Sequence, residues 1–393
     1  MEGSSDAADD DGWFPLLSAV EAQDVALVQS LLDDGADPDR AVVAGTAPQW
    51  MAGDYWIGTR PLLWAAMRGH AHIAEALLER ATLNLGNAVS GETAVCLSVR
   101  HGHLDVLRLL AARGADLNLV RRDGDSPTCI AAEHNHVDVV RFLLDNAAEQ
   151  LNQSGDCGAT PTYIAAQAGH VEVLRLLVDR GADINRLDIE GASPASMAAE
   201  HGHLEVLRVL VDNHADVNRA DKSGQTPTFM AAQNGHHEVL RLLHRSKARL
   251  HEPTPDGRTP LHTAAFNGRL DIVYYLARHG ADLAHLDNEG TSAVDLARFE
   301  GKIATLLEAV QSAGGWRTYI ARLRLPYCLI RHEVSRTGIV CPVNEDEIGQ
   351  QGLYHFVFGA RDEVVEQGPA VLRAAPDDVF AVIGSFLGVR LTD

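Results

Sequence analysis

Long apolar runs are missing from this 393-residue chain, and so are cysteines in any number. No stretch reaches 18 apolar residues, which argues against a membrane-spanning helix. The nearest candidate, Phe380 to Val389, is ten residues long and contains two glycines. The five cysteines, Cys96, Cys129, Cys157, Cys328 and Cys341, form no C-x-x-C pair and no ligand box. Their odd number predicts reduced thiols, as in cytoplasm or nucleus. Basic residues are scarce: 33 Lys and Arg stand against 54 Asp and Glu, for a formal charge of −21. Such a field repels phosphate polyanions, so the expected ligand is not nucleic acid but a protein partner with a basic surface. The opening MEGSSDAADDD has five acids and no base. It reads as a disordered acidic tail over residues 1–12, and not as a targeting peptide. Nucleophile elbows, phosphate loops, dinucleotide fingerprints and H-E-x-x-H are all absent, so no catalytic residue, cofactor or metal is expected.

Repetition is abundant. TPTYIAAQAGHVEVLRLL (Thr160 to Leu177) returns as TPTFMAAQNGHHEVLRLL (Thr226 to Leu243), with SPASMAAEHGHLEVLRVL (Ser193 to Leu210) between them. Glycines ahead of this element fall at 58, 91, 124, 158, 191, 224, 257 and 290, at intervals of 33 with a single 34. A fixed period of this size predicts a stacked solenoid. Thr-Pro opens a short helix, with the hydroxyl at the cap and proline in the first turn, where its missing N–H costs least. Paired alanines such as Ala165-Ala166 keep that helix thin. Gly-His turns the chain, and a second helix follows with apolar Val173, Leu174, Leu176 and Leu177 over more than half its girth. Gly181 marks its end, and Ala-Asp-Ile-Asn leads to a hairpin-like finger.

These residues resemble the ankyrin repeat family. T-P-L-H-x-A stands intact at Thr259 to Ala264, and G-A-D-x-N at Gly114 to Asn118 and Gly181 to Asn185. The resemblance covers residues 13–314 and implies an all-α solenoid of helix-turn-helix plus finger repeats, monomeric and non-catalytic. The implied work is protein–protein recognition as a scaffold or adaptor, through the fingers and the concave face of the first helices. Residues 15–39 and the shortened unit after Gly290 read as end caps. Counted from each finger glycine, positions +9 and +10 are where the family makes contacts. In the first three units they are Met67-Arg68, Arg100-His101 and Glu133-His134. The middle units give Gln167, then Glu200-His201. The last two give Gln233-Asn234 and Phe266-Asn267.

Nineteen histidines invite a metal reading. The register instead puts His70, His103, His136, His170, His203 and His236 at +12, where a turn or inter-repeat hydrogen bond is expected. Helices stack about 10 Å apart, too far for a ladder of imidazoles to chelate one ion. The same spacing argues against a disulfide between Cys96 and Cys129, both at +5.

Two segments break the period. The first finger is long, at 40–57, and its insert holds Trp50, Tyr55 and Trp56 in seven residues of a chain that is 5% aromatic. They read as a partner hot spot or as a seal over the open edge of the first repeat, and the two roles are compatible. After Gly315 the period stops, and 315–393 reads as a small, mostly helical tail of unknown role. Trp316 to Arg336 is basic and helical in pattern, fit to dock on the acidic array, a membrane surface or a partner. Trp316, Tyr319, Arg324, Arg331, Pro376, Phe380 and Phe386 resemble an ending that follows ankyrin arrays in microalgae and related protists. A substrate receptor of a ubiquitin ligase, acting through this tail, is the alternative function. Arg324 stands where a SOCS box wants leucine.

Overall fold

The computed structural model describes residues 15–42, 57–87, 90–297, 301–315 and 317–319. The acidic start, Trp50, Tyr55, Trp56 and all but a few residues of the 315–393 tail lie outside the described residues. Among those described are eighteen α-helices, one 3-10 turn and no strand, with a lone antiparallel bridge between Leu286 and Ser292. The expected all-α repeat fold is what forms. Contacts divide the chain into two units, Met1–Ile303 and Ala304–Asp393.

The first unit is built of helix pairs: α1 (Pro15–Glu21) with α2 (Val25–Asp33), α3 (Pro61–Arg68) with α4 (Ala71–Leu77), α5 (Ala94–Arg100) with α6 (Leu104–Ala112), and α7 (Pro127–Glu133) with α8 (Val137–Asn146). Then come α9 (Pro161–Ala168) with α10 (Val171–Asp179), and α11 (Pro194–Glu200) with α12 (Leu204–Asp212). The last pairs are α13 (Pro227–Asn234) with α14 (His237–Arg245), and α15 (Pro260–Phe266) with α16 (Leu270–Arg278). A short α17 (Ala293–Leu296) follows. First helices pack on first helices at every step, and second helices on second at every step but that from α6 to α8. The second unit is described only through the helix α18 (Gly301–Ser312), which starts just before its boundary, and the few residues beyond.

Local chemistry explains each pair. Ser126, Thr160, Ser193 and Thr226 cap their helices by accepting the amide three residues on, at 3.1–3.3 Å. Proline follows in the first turn of each. Ala165, Ala166, Ala198 and Ala199 have no exposed surface, so neighbouring first helices lie close. Val173, Leu174 and Leu177 are equally buried on α10, each contributing about 1.5–3 kcal/mol against exposure. The fingers are tight turns rather than paired strands, and they are tied in series. Ile189 N–H donates to Cys157 O at 3.0 Å, and Lys222 N–H to Glu190 O at 2.9 Å.

The single 34-residue interval has a structural cause. Its extra residue enters the 3-10 turn Ala148–Asn152. There the fully buried Gln150 accepts from Thr128 N–H and Oγ at 3.0 and 2.9 Å, and donates to Leu117 O at 2.6 Å.

Position +5, where the family pattern wants histidine, is filled in several ways. His262 shares a 2.7 Å bond with Thr259 Oγ1. Tyr163 reaches the next finger instead, its hydroxyl donating to Asp188 Oδ2 at 2.9 Å. Cys96 and Cys129 are buried free thiols, each within 3.6 Å of a backbone carbonyl. Burial pushes the Cys129 thiol up to about 12.

Candidate partner-binding face

The +9 and +10 residues sit at the carboxyl ends of the first helices, which stack directly, so they follow one another along one edge of the array. What fixes that edge is the histidine at +12. His103 Nε2–H donates to Met67 O at 3.0 Å, His136 to Arg100 O at 2.9 Å, and His170 to Glu133 O at 2.9 Å. His203 reaches Gln167 O at 3.0 Å and His236 reaches Glu200 O at 2.9 Å. A carbonyl only accepts, so Nε2 carries the proton in every rung. In the last rung Arg269 replaces histidine and donates from Nε to Gln233 O at 3.3 Å. The +9 residues from Met67 to Gln233 thus give their carbonyls to the next repeat.

The glycine at +11 belongs to the same device. Gly102 has φ of 74°, and a Cβ there would lie 2.7 Å from Cε1 of His136. Both the left-handed backbone and the imbricated imidazole require a bare α-carbon.

The +10 residues close their own helices. His134 and His201 donate from Nδ1 to the carbonyls of Ile130 and Met197 at 3.0 and 3.1 Å. Asn234 and Asn267 do the same to Met230 and Thr263 at 3.1 and 2.9 Å. The exposed imidazoles of His101, His134 and His201 stack on the +12 rings, with centroids 6.0–6.1 Å apart. Among the described residues no group of three or more His, Cys, Asp or Glu is placed to hold a metal.

Both candidate arginines form ion pairs inside the molecule. Arg68 pairs with Glu21 of α1, donates to it from Nε at 3.1 Å, and lies 5.5 Å from the Trp64 ring centroid. Trp64 Nε1–H donates to the same carboxylate at 2.7 Å. Burial works to raise the Glu21 pKa, but the bonds from Arg68 and Trp64 outweigh it and hold the group below its usual range. This cluster fastens the first pair to the second. Arg100 pairs with Glu92, whose side chain is 2% exposed. Arg121 stands 3.9 Å from that carboxylate and also binds Asp123 and Asp125 at 2.7 Å. Nothing in the repeat pattern marks Glu92, which takes the variable place after the finger glycine, filled elsewhere by Thr59, Asp125, Ala159, Ala192, Gln225, Arg258 and Thr291.

The remaining candidates are freer. Glu133 and Gln167 are exposed, while Met67, Glu200 and Gln233 are half-buried. Phe266 is the outlier, a large apolar side chain 65% exposed. It borders an open groove of about 540 Å³ lined by the two fingers that carry Lys222 and Pro255. Gln233, Asn267 and Phe229 meet it there, with Lys222, Pro255 and Arg258 on the finger side. Sequence reasoning named Gln233, Phe266 and Asn267 separately, and the fold brings them together.

The family described as ankyrin repeats (3 copies) matches residues 52–121, 113–188, 195–287 and 229–309. No curated protein matches the chain. No helix among the described residues is long and apolar enough to cross a membrane.

Proposed function

Because the chain belongs to the ankyrin repeat family, whose repeats generally mediate protein–protein interaction, we propose that it is a non-catalytic scaffold or adaptor. It holds a partner protein across the first-helix edge and the fingers. The observation that carries this reading is the groove beside Phe266, where an exposed aromatic ring is lined by three amides, the finger cations Lys222 and Arg258, and Asp256. Aromatic anchors flanked by polar groups are the usual centre of a protein interface. The acidic balance of the chain favours a partner with a basic surface. The protein acts as a monomer in the cytoplasm or nucleus.

On this reading the engaged residues are Phe266, Asn267, Gln233, Gln167, Glu133, Glu200 and the outward faces of His101, His134 and His201. Arg68 and Arg100 act chiefly within the fold. Trp50, Tyr55 and Trp56, in the sequence of the first finger, are a second anchor. The test is affinity capture with the full chain, the Phe266→Ser variant and the Trp50→Ala/Trp56→Ala variant, with melting followed in parallel. Loss of capture at unchanged melting temperature supports the reading. Capture unchanged in both variants sinks it. Ubiquitin-ligase subunits that copurify and vanish on removal of residues 316–393 would favour the substrate-receptor alternative.

A further inference from the structure

The second helices end in acid or alanine through most of the array and in arginine at its far end. Position +21 reads Glu79, Ala112, Asp145, Asp179 and Asp212, and then Arg245 and Arg278. Two neighbouring positions change with it. At +18, where the middle repeats have Leu176 and Val209, the last full repeat has Tyr275. At +20, Val178 and Val211 give way to His244.

These replacements meet in space. The Tyr275 hydroxyl and His244 Nδ1 share a 2.7 Å hydrogen bond across the two repeats. The His279 ring packs against Tyr275 at 4.1 Å between centroids and edge-on to His244 at 4.6 Å. Arg278 lies one turn beyond Tyr275 on α16, at i+3 and so on the same helix face, and Arg245 directly follows His244 in the last turn of α14. Arg241 is held by Glu238 at 3.1 Å. Arg245 and Arg278 are exposed and form no ion pair among the described residues. Glu238 is the acid that faces this cluster on Tyr275. Cations in the last turn also complement a helix dipole. That accounts for the arginines alone, and not for a tyrosine and a histidine hydrogen-bonded to each other beside them.

We propose that Arg245, Arg278, Tyr275 and His279 form a binding site for a phosphomonoester on a partner peptide. Two free guanidiniums and a phenol suit a compact dianion with three acceptor oxygens, whereas a single carboxylate fills one guanidinium fork. The chain's net charge of −21 opposes extended polyanions such as nucleic acid or an anionic membrane, because their remaining charges must approach the acidic array. One phosphate on a flexible peptide avoids that repulsion. The site lies nine residues along the second helix from the +12 rung, about 13 Å, and is separate from the groove beside Phe266.

The test passes a degenerate phosphoserine peptide library over the immobilised full chain. Matched unphosphorylated and glutamate-centred libraries run alongside, with phosphatidylserine vesicles as a further arm. The comparison variants are Arg245→Glu/Arg278→Glu and, as a control of equal charge change on exposed second-helix positions, Arg175→Glu/Arg208→Glu. Wild type and control should retain phosphopeptides about tenfold better than unphosphorylated ones, the scale of one charge-assisted bond. The Arg245/Arg278 variant should lose that preference while its melting temperature stays close to wild type. Equal retention with and without phosphate overturns the proposal. So does equal retention of the glutamate library, retention of vesicles alone, or the same loss in the control. Partner capture through the Phe266 groove is read in a separate experiment, so either proposal can fail alone.

Discussion

The imidazole of His136 donates from Nε2 to the carbonyl oxygen of Arg100, one repeat back, at 2.9 Å. The same bond, repeated from His103 to His236, locks each first-helix end to the next turn. It makes the +9/+10 edge a rigid row rather than a set of loose ends.

Removing one rung should cost stability without touching the exposed row. His136→Ala leaves the Arg100 carbonyl without this donor, and the expected loss is about 1–3 kcal/mol. Urea unfolding of His136→Ala beside His101→Ala checks it. The +10 variant should fall well short of the +12 variant.

Arg100→Ala should behave as a core mutation although its position is one of presumed contact. It strips the nearer cation from a carboxylate that is 2% exposed. Arg121 at 3.9 Å and the Ser90 hydroxyl at 3.2 Å remain, so the loss should lie near the lower end for a broken buried pair, about 3 kcal/mol. Adding Glu92→Gln should restore part of it. Denaturant midpoints of the two single variants and the double variant measure that coupling.

Stability should fall on mild acidification. Burial lowers the pKa of His101, His203 and His262, with neighbouring cations or imidazoles adding to the effect. For His203 the bond to Gln167 O opposes the shift without cancelling it. A depressed folded pKa means that the unfolded chain binds more protons. The contribution is therefore complete above the unfolded value of about 6.5 and is lost as pH falls below it. Urea midpoints at pH 7.5 and 5.5 should differ in that direction. A lower pH that leaves the midpoint unchanged or raises it would contradict the assignment.

Leu176→Asp puts a carboxylate on the buried face of α10, between α8 and α12. Stability in a stack is roughly a sum of repeat and neighbour terms. The array should therefore melt in two steps, with the halves on either side of the lesion separating. One unchanged cooperative transition would count against nearest-neighbour stacking.

Much of this was legible in the residues, and the reason is periodicity. A 33-residue spacing carries the caps, the alanine pairs and the leucine face together, so each repeat confirms the next. The +12 histidines were readable as inter-repeat donors because only the register separates them from the +10 histidines. Side chains that answer a local irregularity were less legible. Gln150 exists to satisfy Thr128 and Leu117 where one residue is inserted, and only the 34-residue interval hinted at it. Glu92 stands at a variable position and Tyr275 where the middle repeats have leucine or valine, and their partners, Arg100 and His244, are set by the fold. The exposed Phe266 was visible as a position. Its groove needed the neighbouring finger.

Hydrogen exchange of the full chain, with and without its captured partner, tests the central claim most directly. Protection should gather at the fingers and the first-helix ends, with the peptides containing Gln167, Glu200, Gln233 and Phe266 slowed most. Protection confined to the second helices, or none in the array at all, would contradict it.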